Sequence, residues 1–113
     1  MKVKPEWQGR QLVLRLQGAL TMQNSDGLVA QFKAQLTPSC QACIMDLQEL
    51  ELIDSSGVGA LVTCFNEARR CSLPLRLAAV RGQPQITLKV ARTEAFLPVY
   101  DTVAQAVAAG ASA

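Results

Sequence analysis

Apolar and polar residues change rhythm several times along the chain, and each rhythm predicts an element. Val3 to Trp7 reads as a short strand, closed by a tight turn at Gln8-Gly9. From Gln11 to Gln17 the residues Leu12, Leu14 and Leu16 alternate with Val13 and Arg15, which is the strand period, and Gly18 is expected to end the run. Leu28, Val29, Phe32 and Leu36 fall on one helical stripe, so a helix is expected over Gln23 to Leu36, capped by Thr21 or Asn24 and stopped by Pro38. Cys43 to Leu47 is a short, nearly continuous apolar strand interrupted by Asp46. Such a run suits a strand covered on both faces. The residues around Glu49 and Glu51 read as a connector into Leu52-Ile53.

After a turn at Asp54-Ser55-Ser56-Gly57, the stripe Val58, Leu61, Val62, Phe65 and Ala68 predicts a second helix ending near Cys71. Leu75 to Val80 reads as a strand introduced by Pro74. In Gln83 to Thr93, Ile86, Leu88 and Val90 alternate like a strand, but Gln83-Pro84 opens a helix well and Ile86 and Val90 stand one turn apart; a helix is expected. Phe96 to Tyr100 predicts a short edge strand broken by Pro98, and Asp101 or Thr102 caps a last helix over Val103 to Ala109. Residues 108–113 read as a loose tail, with Gly110 a helix stop. The order after the opening strands is an alternation of strand and helix. It argues for one α/β domain over residues 1–113, with a small, mainly parallel sheet and about four helices.

Composition narrows the chemistry. The chain has 113 residues, half of them hydrophobic but only 4% aromatic, so Leu, Val, Ile and Ala must fill the core. A net charge of +2 with no basic run argues against a nucleic-acid or membrane-surface partner. The absence of histidine removes His-based metal sites and His-activated nucleophiles. No apolar stretch reaches the roughly 20 residues of a bilayer span, and no signal-like apolar core follows Met1 to Glu6, so a cytoplasmic location is expected. Cys40 and Cys43 form a C-x-x-C, but the pair precedes a strand instead of opening a helix, and Cys64 and Cys71 are too far apart for a second zinc pair. The four read as reduced cysteines used as small apolar residues. Neither a metal nor a cofactor is expected.

The sharpest feature is Leu52-Ile53-Asp54-Ser55-Ser56-Gly57-Val58-Gly59-Ala60-Leu61. Here the carboxyl end of a buried segment turns directly into an amphipathic helix, the edge where open α/β sheets meet ligands and partners. Asp54 or Ser55 can cap the first free N–H groups of the helix. Gly57 and Gly59 strip its first turn of side chains, so a phosphate or another backbone can come close. A nucleotide-binding enzyme would use Ser-Ser-Gly-Val-Gly as a phosphate cradle, but no Gly-Lys-Ser/Thr follows and Ser55 sits in no Gly-x-Ser-x-Gly elbow. Asp46, inside an apolar strand, must be hydrogen-bonded or near the surface.

The stretch Asp46 to Leu61 closely resembles the phosphorylation-site region of bacterial anti-sigma-factor antagonists, single-domain STAS proteins. Leu16-Gln17-Gly18-Ala19-Leu20, Gln83-Pro84 and Phe96 to Thr102 are similar to the family's second strand, third helix start and last strand. Thr21 stands where many relatives carry an acidic residue. The resemblance implies a small mixed sheet with helices packed against it, and a partner-switching role without enzymatic activity. In that role the unphosphorylated protein binds an anti-sigma factor that is also a serine kinase, and so frees a sigma factor. Phosphorylation of the first serine of the turn, here Ser55, ends binding, and a metal-dependent serine phosphatase reverses it. The partner surface implied is Asp54, Ser55, Ser56, Gly57, Val58 and Gly59. The same domain also serves, in this resemblance, as a subunit of lipid-transport ABC complexes and in stress-signalling assemblies.

Overall fold

The computed structural model describes residues 1–111. Its elements in chain order are β1 (Lys2–Gln8), β2 (Gln11–Leu20), α1 (Ser25–Gln35), β3 (Ala42–Ile53), α2 (Ser55–Arg70), β4 (Leu75–Ala78), α3 (Gly82–Val90), β5 (Val99–Tyr100) and α4 (Val103–Ala111), with a short 3-10 turn at Thr93–Ala95 before β5. The five strands form one sheet in the order of the chain, β1 antiparallel to β2 and the rest parallel. This is the small mixed, mainly parallel α/β architecture expected.

The strand order sets where the helices go. Parallel crossovers are right-handed, and β2, β3, β4 and β5 follow one another in one direction across the sheet. Three successive crossovers therefore place α1, α2 and α3 on the same face. Leu12, Leu14 and Leu16 of β2 and Cys43, Met45 and Leu47 of β3 point to that face and meet Leu28 and Phe32 of α1, Leu61 and Cys64 of α2 and Leu88 of α3. The opposite face has only α4, which covers Val13, Ile44 and Ala78 with Ala106. Beyond α4 that face is polar: the buried Asp46 carboxylate accepts from Arg15 Nε at 3.4 Å and from the Gln48 N–H at 3.0 Å. Asp46 is thus satisfied as the sequence requires. The outer strand β1, which carries Lys2, Lys4, Pro5 and Glu6, is exposed along nearly its whole length.

Several expectations are corrected. Gly18 does not end β2: at φ +102 it sits within a strand that continues to Leu20. Cys43 to Leu47 and the supposed connector are one strand, β3, of 12 residues. Register shifts between Arg15 and Gln17 and between Gly18 and Ala19 keep β3 paired with β2 to Ile53 while breaking the simple alternation that would have revealed it. The segment after Gly82 is a helix as expected, but its buried residues are Pro84 and Leu88, whereas Ile86 and Val90 are exposed. The chain leaves α3 through Arg92 at φ 58, and the backbone N–H groups of Phe96 and Leu97 both turn back to the Thr93 carbonyl, which shortens the last strand to Val99–Tyr100. Trp7, near the end of β1, is exposed. Helix α4 passes Gly110, because that glycine lies against the Gln11 side chain, whose Nε2 donates to the Val107 carbonyl at 3.0 Å. The expected loose tail is thus helical over residues 108–111, and residues 112–113 lie outside the described part.

Replacing Asp46 by Ala removes a buried carboxylate and leaves the Gln48 N–H and the Arg15 guanidinium without it. The variant is expected to lose about 1–3 kcal/mol of unfolding free energy, read as a lower urea midpoint at unchanged m-value.

Candidate functional site

The site is built where β3 runs out. Ile53 is its last residue, and the backbone there is held from two sides. The Gln83 side chain of α3 accepts from the Ile53 N–H at 2.9 Å and donates to its carbonyl at 2.8 Å, so a polar side chain continues the ladder where no strand does. The next residue, Asp54, donates its own N–H to the Leu20 carbonyl at the end of β2. The chain then enters α2 with Asp54 as its cap.

The Asp54 carboxylate joins two segments. One oxygen accepts from the Gly57 N–H at 2.8 Å and satisfies a free donor of the first helical turn; the other accepts from the Met22 N–H at 3.0 Å in the β2–α1 turn. That turn is fixed in itself: Asn24 Nδ2 donates to the Ala19 carbonyl at 2.8 Å, and Asn24 Oδ1 accepts from the Thr21 N–H at 2.9 Å. Asn24 thus sits at the start of α1 as expected, but its side chain folds back on the turn and makes no cap bond to the helix. The Gly57 N–H bond, followed by those from Met22 and Ser56, holds the Asp54 carboxyl below its ordinary value of 3.8 against a partial opposing effect of burial.

Ser55, the first residue of α2, is exposed, whereas Ser56 is half-buried. Ser56 faces a groove of about 570 Å³ between α1 and α2, together with Ser25, Asp26, Lys33, Gly59 and Thr63. The two hydroxyls, which are equivalent by sequence chemistry alone, therefore differ in what can reach them.

The two glycines also part company. A Cβ on Gly57 would stand 2.4 Å from the Leu20 carbonyl oxygen and 2.6 Å from Ile53 Cγ1. Gly57 is buried and lets α2 press against the end of β2; it offers nothing to an outside phosphate. Nothing lies within 4 Å of the equivalent position on Gly59, which is exposed on the groove. Val58 packs half-buried against the main core. Of the six residues expected at the partner surface, the structure thus presents Ser55 and Gly59 fully and Asp54, Ser56 and Val58 in part.

Sequence reading missed three contributors. Met22 and Leu52 are large apolar residues left 74% and 46% exposed, Met22 in the β2–α1 turn that meets Asp54 and Leu52 near the end of β3. A signal was available for Met22, an apolar residue outside any helical or strand stripe; Leu52 belongs to β3 but is exposed there. Gln83 gave no such signal, because its bond to Ile53 spans 30 residues of sequence. Among the described residues no group of Cys, Asp or Glu could hold a metal ion, and no helix is long and apolar enough to cross a membrane.

The site thus sits on an α/β domain with a mainly parallel sheet, three helices on one face and a capped serine turn opening the second helix. The STAS domain family matches residues 2–106, and the chain belongs to it. Solved structures share the fold. An anti-sigma factor antagonist from Mycobacterium paratuberculosis is 19% identical, with 96% of this chain and 92% of that one covered at a TM-score of 0.83. The anti-sigma factor antagonist SpoIIAA in its unphosphorylated form is 18% identical, with 98% and 97% covered at a TM-score of 0.69. A sulfate transporter family protein from Wolinella succinogenes is 17% identical, with 91% and 86% covered at a TM-score of 0.80.

Two measurements test this geometry. Gly57→Ala is expected to cost about 1–3 kcal/mol from overpacking against the Leu20 carbonyl, while Gly59→Ala, with space for its methyl group, gains up to about 1 kcal/mol of helix propensity; paired urea denaturation curves separate them. The pH dependence of stability tests Asp54. Its folded pKa is depressed, so its contribution is complete above its unfolded value of 3.8 and is lost as pH falls through the lower folded value. Asp54→Asn should therefore be less stable than the parent near neutral pH, and the difference should shrink as acid protonates Asp54.

Proposed function

We propose that this protein is an anti-sigma-factor antagonist whose partner binding is switched by phosphorylation of Ser55. The observation that carries the reading is the exposed Ser55 at the first position of α2, next to Asp54, whose carboxylate accepts from the N–H of the exposed Met22, and three residues after the exposed Leu52. Apolar residues left in water beside a polar turn are what a protein contact buries. In this reading Met22, Leu52, Ser55 and the Ser56–Gly59 edge of the α1–α2 groove form the surface that meets an anti-sigma factor with serine kinase activity. Asp54 positions the turn. The kinase transfers a phosphoryl group to Ser55, a metal-dependent serine phosphatase removes it, and the protein itself performs no catalysis. It works in the cytoplasm, where sigma factors act, and uses residues 1–113 as a single STAS domain.

The physics of the switch needs no change of fold. A phosphate adds about −1.5 to −2 charges at the amino end of a helix, whose dipole favours an anion. The Asp54 carboxylate already occupies the Gly57 and Met22 N–H groups, so the new charge adds to an existing one and projects outward. A partner that buries Met22 and Leu52 must then desolvate or oppose both charges. Like-charge juxtaposition costs several kcal/mol, and about 3 kcal/mol lowers affinity by over a hundredfold.

A second reading, a STAS subunit of a transporter assembly such as a lipid-transport ABC complex, has the fold shared with the Wolinella sulfate transporter family protein in its favour. It predicts a stable complex with a transporter ATPase and indifference to serine kinases.

The test incubates the protein with a candidate kinase anti-sigma factor and ATP, maps the modified residue by mass spectrometry, and measures affinity by calorimetry. The phosphate is expected on Ser55. Ser55→Ala should bind as tightly as the unmodified protein and resist the kinase, whereas Ser55→Asp should bind at least tenfold more weakly. Equal affinity of all forms overturns the switch.

A further inference from the structure

The C-x-x-C of the sequence has no part in the Ser55 surface: Cys40 and Cys43 stand at the beginning of β3, and Ser55 follows its end. Cys40 lies in the loop before β3, while Cys43 is the second residue of the strand and fully buried. Their sulfurs are 3.7 Å apart, in contact but unbonded, and both thiols are free. The Cys40 thiol also donates to the Ala42 carbonyl at 3.3 Å, which holds it near its partner.

Access is one-sided. A cleft of about 300 Å³, lined by Leu36, Thr37, Pro38, Cys40, Cys71 and Leu73, opens over Cys40. Cys40 is itself 6% exposed. Small molecules thus reach Cys40 through an apolar mouth, and Cys43 waits behind it.

We propose that Cys40 and Cys43 form a modification site, a dithiol that hydrogen peroxide entering this cleft converts to an intramolecular disulfide. The reaction divides between the two thiols as their positions require. The Cys40 sulfur attacks the nearer peroxide oxygen, the O–O bond breaks, and Cys40 becomes a sulfenic acid as the other oxygen leaves as water with the thiol proton. The Cys43 sulfur then attacks the Cys40 sulfur. The S–O bond breaks, and the hydroxyl leaves as a second water carrying the Cys43 proton. Overall the peroxide is reduced to two waters, and the dithiol loses two hydrogens. Of the two, only Cys40 lines the cleft, so Cys40 meets the peroxide first and the fully buried Cys43, in contact behind it, resolves the sulfenic acid. Burial, reinforced by Cys40 and by the Cys64 and Cys71 thiols, pushes the Cys43 thiol well above the ordinary range, which keeps it from reacting first. Closing the sulfurs to about 2.05 Å asks for a movement of Cys40 in its loop, with Cys43 fixed in the sheet. Cys64, buried on α2, does not line the cleft, and the sulfur contact of Cys40 is with Cys43; the Cys64 thiol is pushed up to about 12 by desolvation and by the Glu67 charge.

The experiment treats the full chain with hydrogen peroxide, alkylates remaining thiols after denaturation, and cleaves after glutamate. Cleavage at Glu49 and Glu51 puts Cys40 and Cys43 in one fragment and leaves Cys64 and Cys71 in others. The expected product has lost two hydrogens, is alkylated only at Cys64 and Cys71, and carries its bond inside the first fragment; dithiothreitol restores alkylation at all four positions. Cys71→Ser should behave in the same way, and Cys40→Ala, at a loop position, should abolish the bond while the domain stays folded by circular dichroism. Four alkylated thiols after peroxide, a bond from Cys40 to Cys71, or overoxidised Cys40 without a bond each overturns the assignment. None of these readouts involves Ser55 or a protein partner.

Discussion

The functional end of the domain hangs on one carboxylate. Asp54 is the only described side chain that accepts at once from the first turn of α2 and from the β2–α1 turn. Its neighbours are fixed in their turn by Gln83 on Ile53 and by Asn24 on the chain between Ala19 and Thr21. Three separate segments therefore meet in one hydrogen-bonded knot, with Ser55 on its outer side. The helix start is rigid because every bond in the knot is to backbone, and Gly57 removes the one side chain that would hold α2 off β2.

That anchoring bears on the proposed charge switch at Ser55. A serine set on a flexible loop could move its phosphate away from an incoming surface. Ser55 is the first residue of a 16-residue helix whose Ala60, Leu61, Cys64 and Ala68 are anchored in the main core. In the proposed switch, a phosphate added there is held at the helix start, so its charge acts on the docking partner. The one-directional strand order serves the same end, since it gathers α1, α2 and α3 on one face and leaves the carboxyl ends of β2 and β3 to carry the turn.

Much of this was legible in the sequence where the physics is local. Leu12, Leu14 and Leu16 announce β2 by alternation, and Asp54 next to Ser-Ser-Gly announces a capped helix start; both stand where expected. What could not be read was set by contacts between distant residues. The two register shifts in the pairing of β2 with β3, where β3 gains a residue each time, hid the unity of β3. Gly57 and Gly59 look alike in the chain, and only the Leu20 carbonyl, brought in by β2, tells them apart. Ile86 and Val90 gave an apolar stripe to α3, yet the sheet lies under Pro84 and Leu88, so the phase of that short helix came from packing. The Gln83 clamp on Ile53 has no sequence signature at all.

The outer strand β1 has a bearing on how the molecule behaves in a crowd of its own kind. An open sheet edge is a template on which another chain can lay a strand, and natural proteins guard such edges with lysine and proline. Here the guard is Lys2, Lys4 and Pro5. Pro5 has no N–H to offer, and an approaching copy would have to bring its own lysines against the same two charges. The sheet is thereby guarded against growing past its first strand, and this edge is kept apart from the Asp54–Ser55 turn at the end of β3.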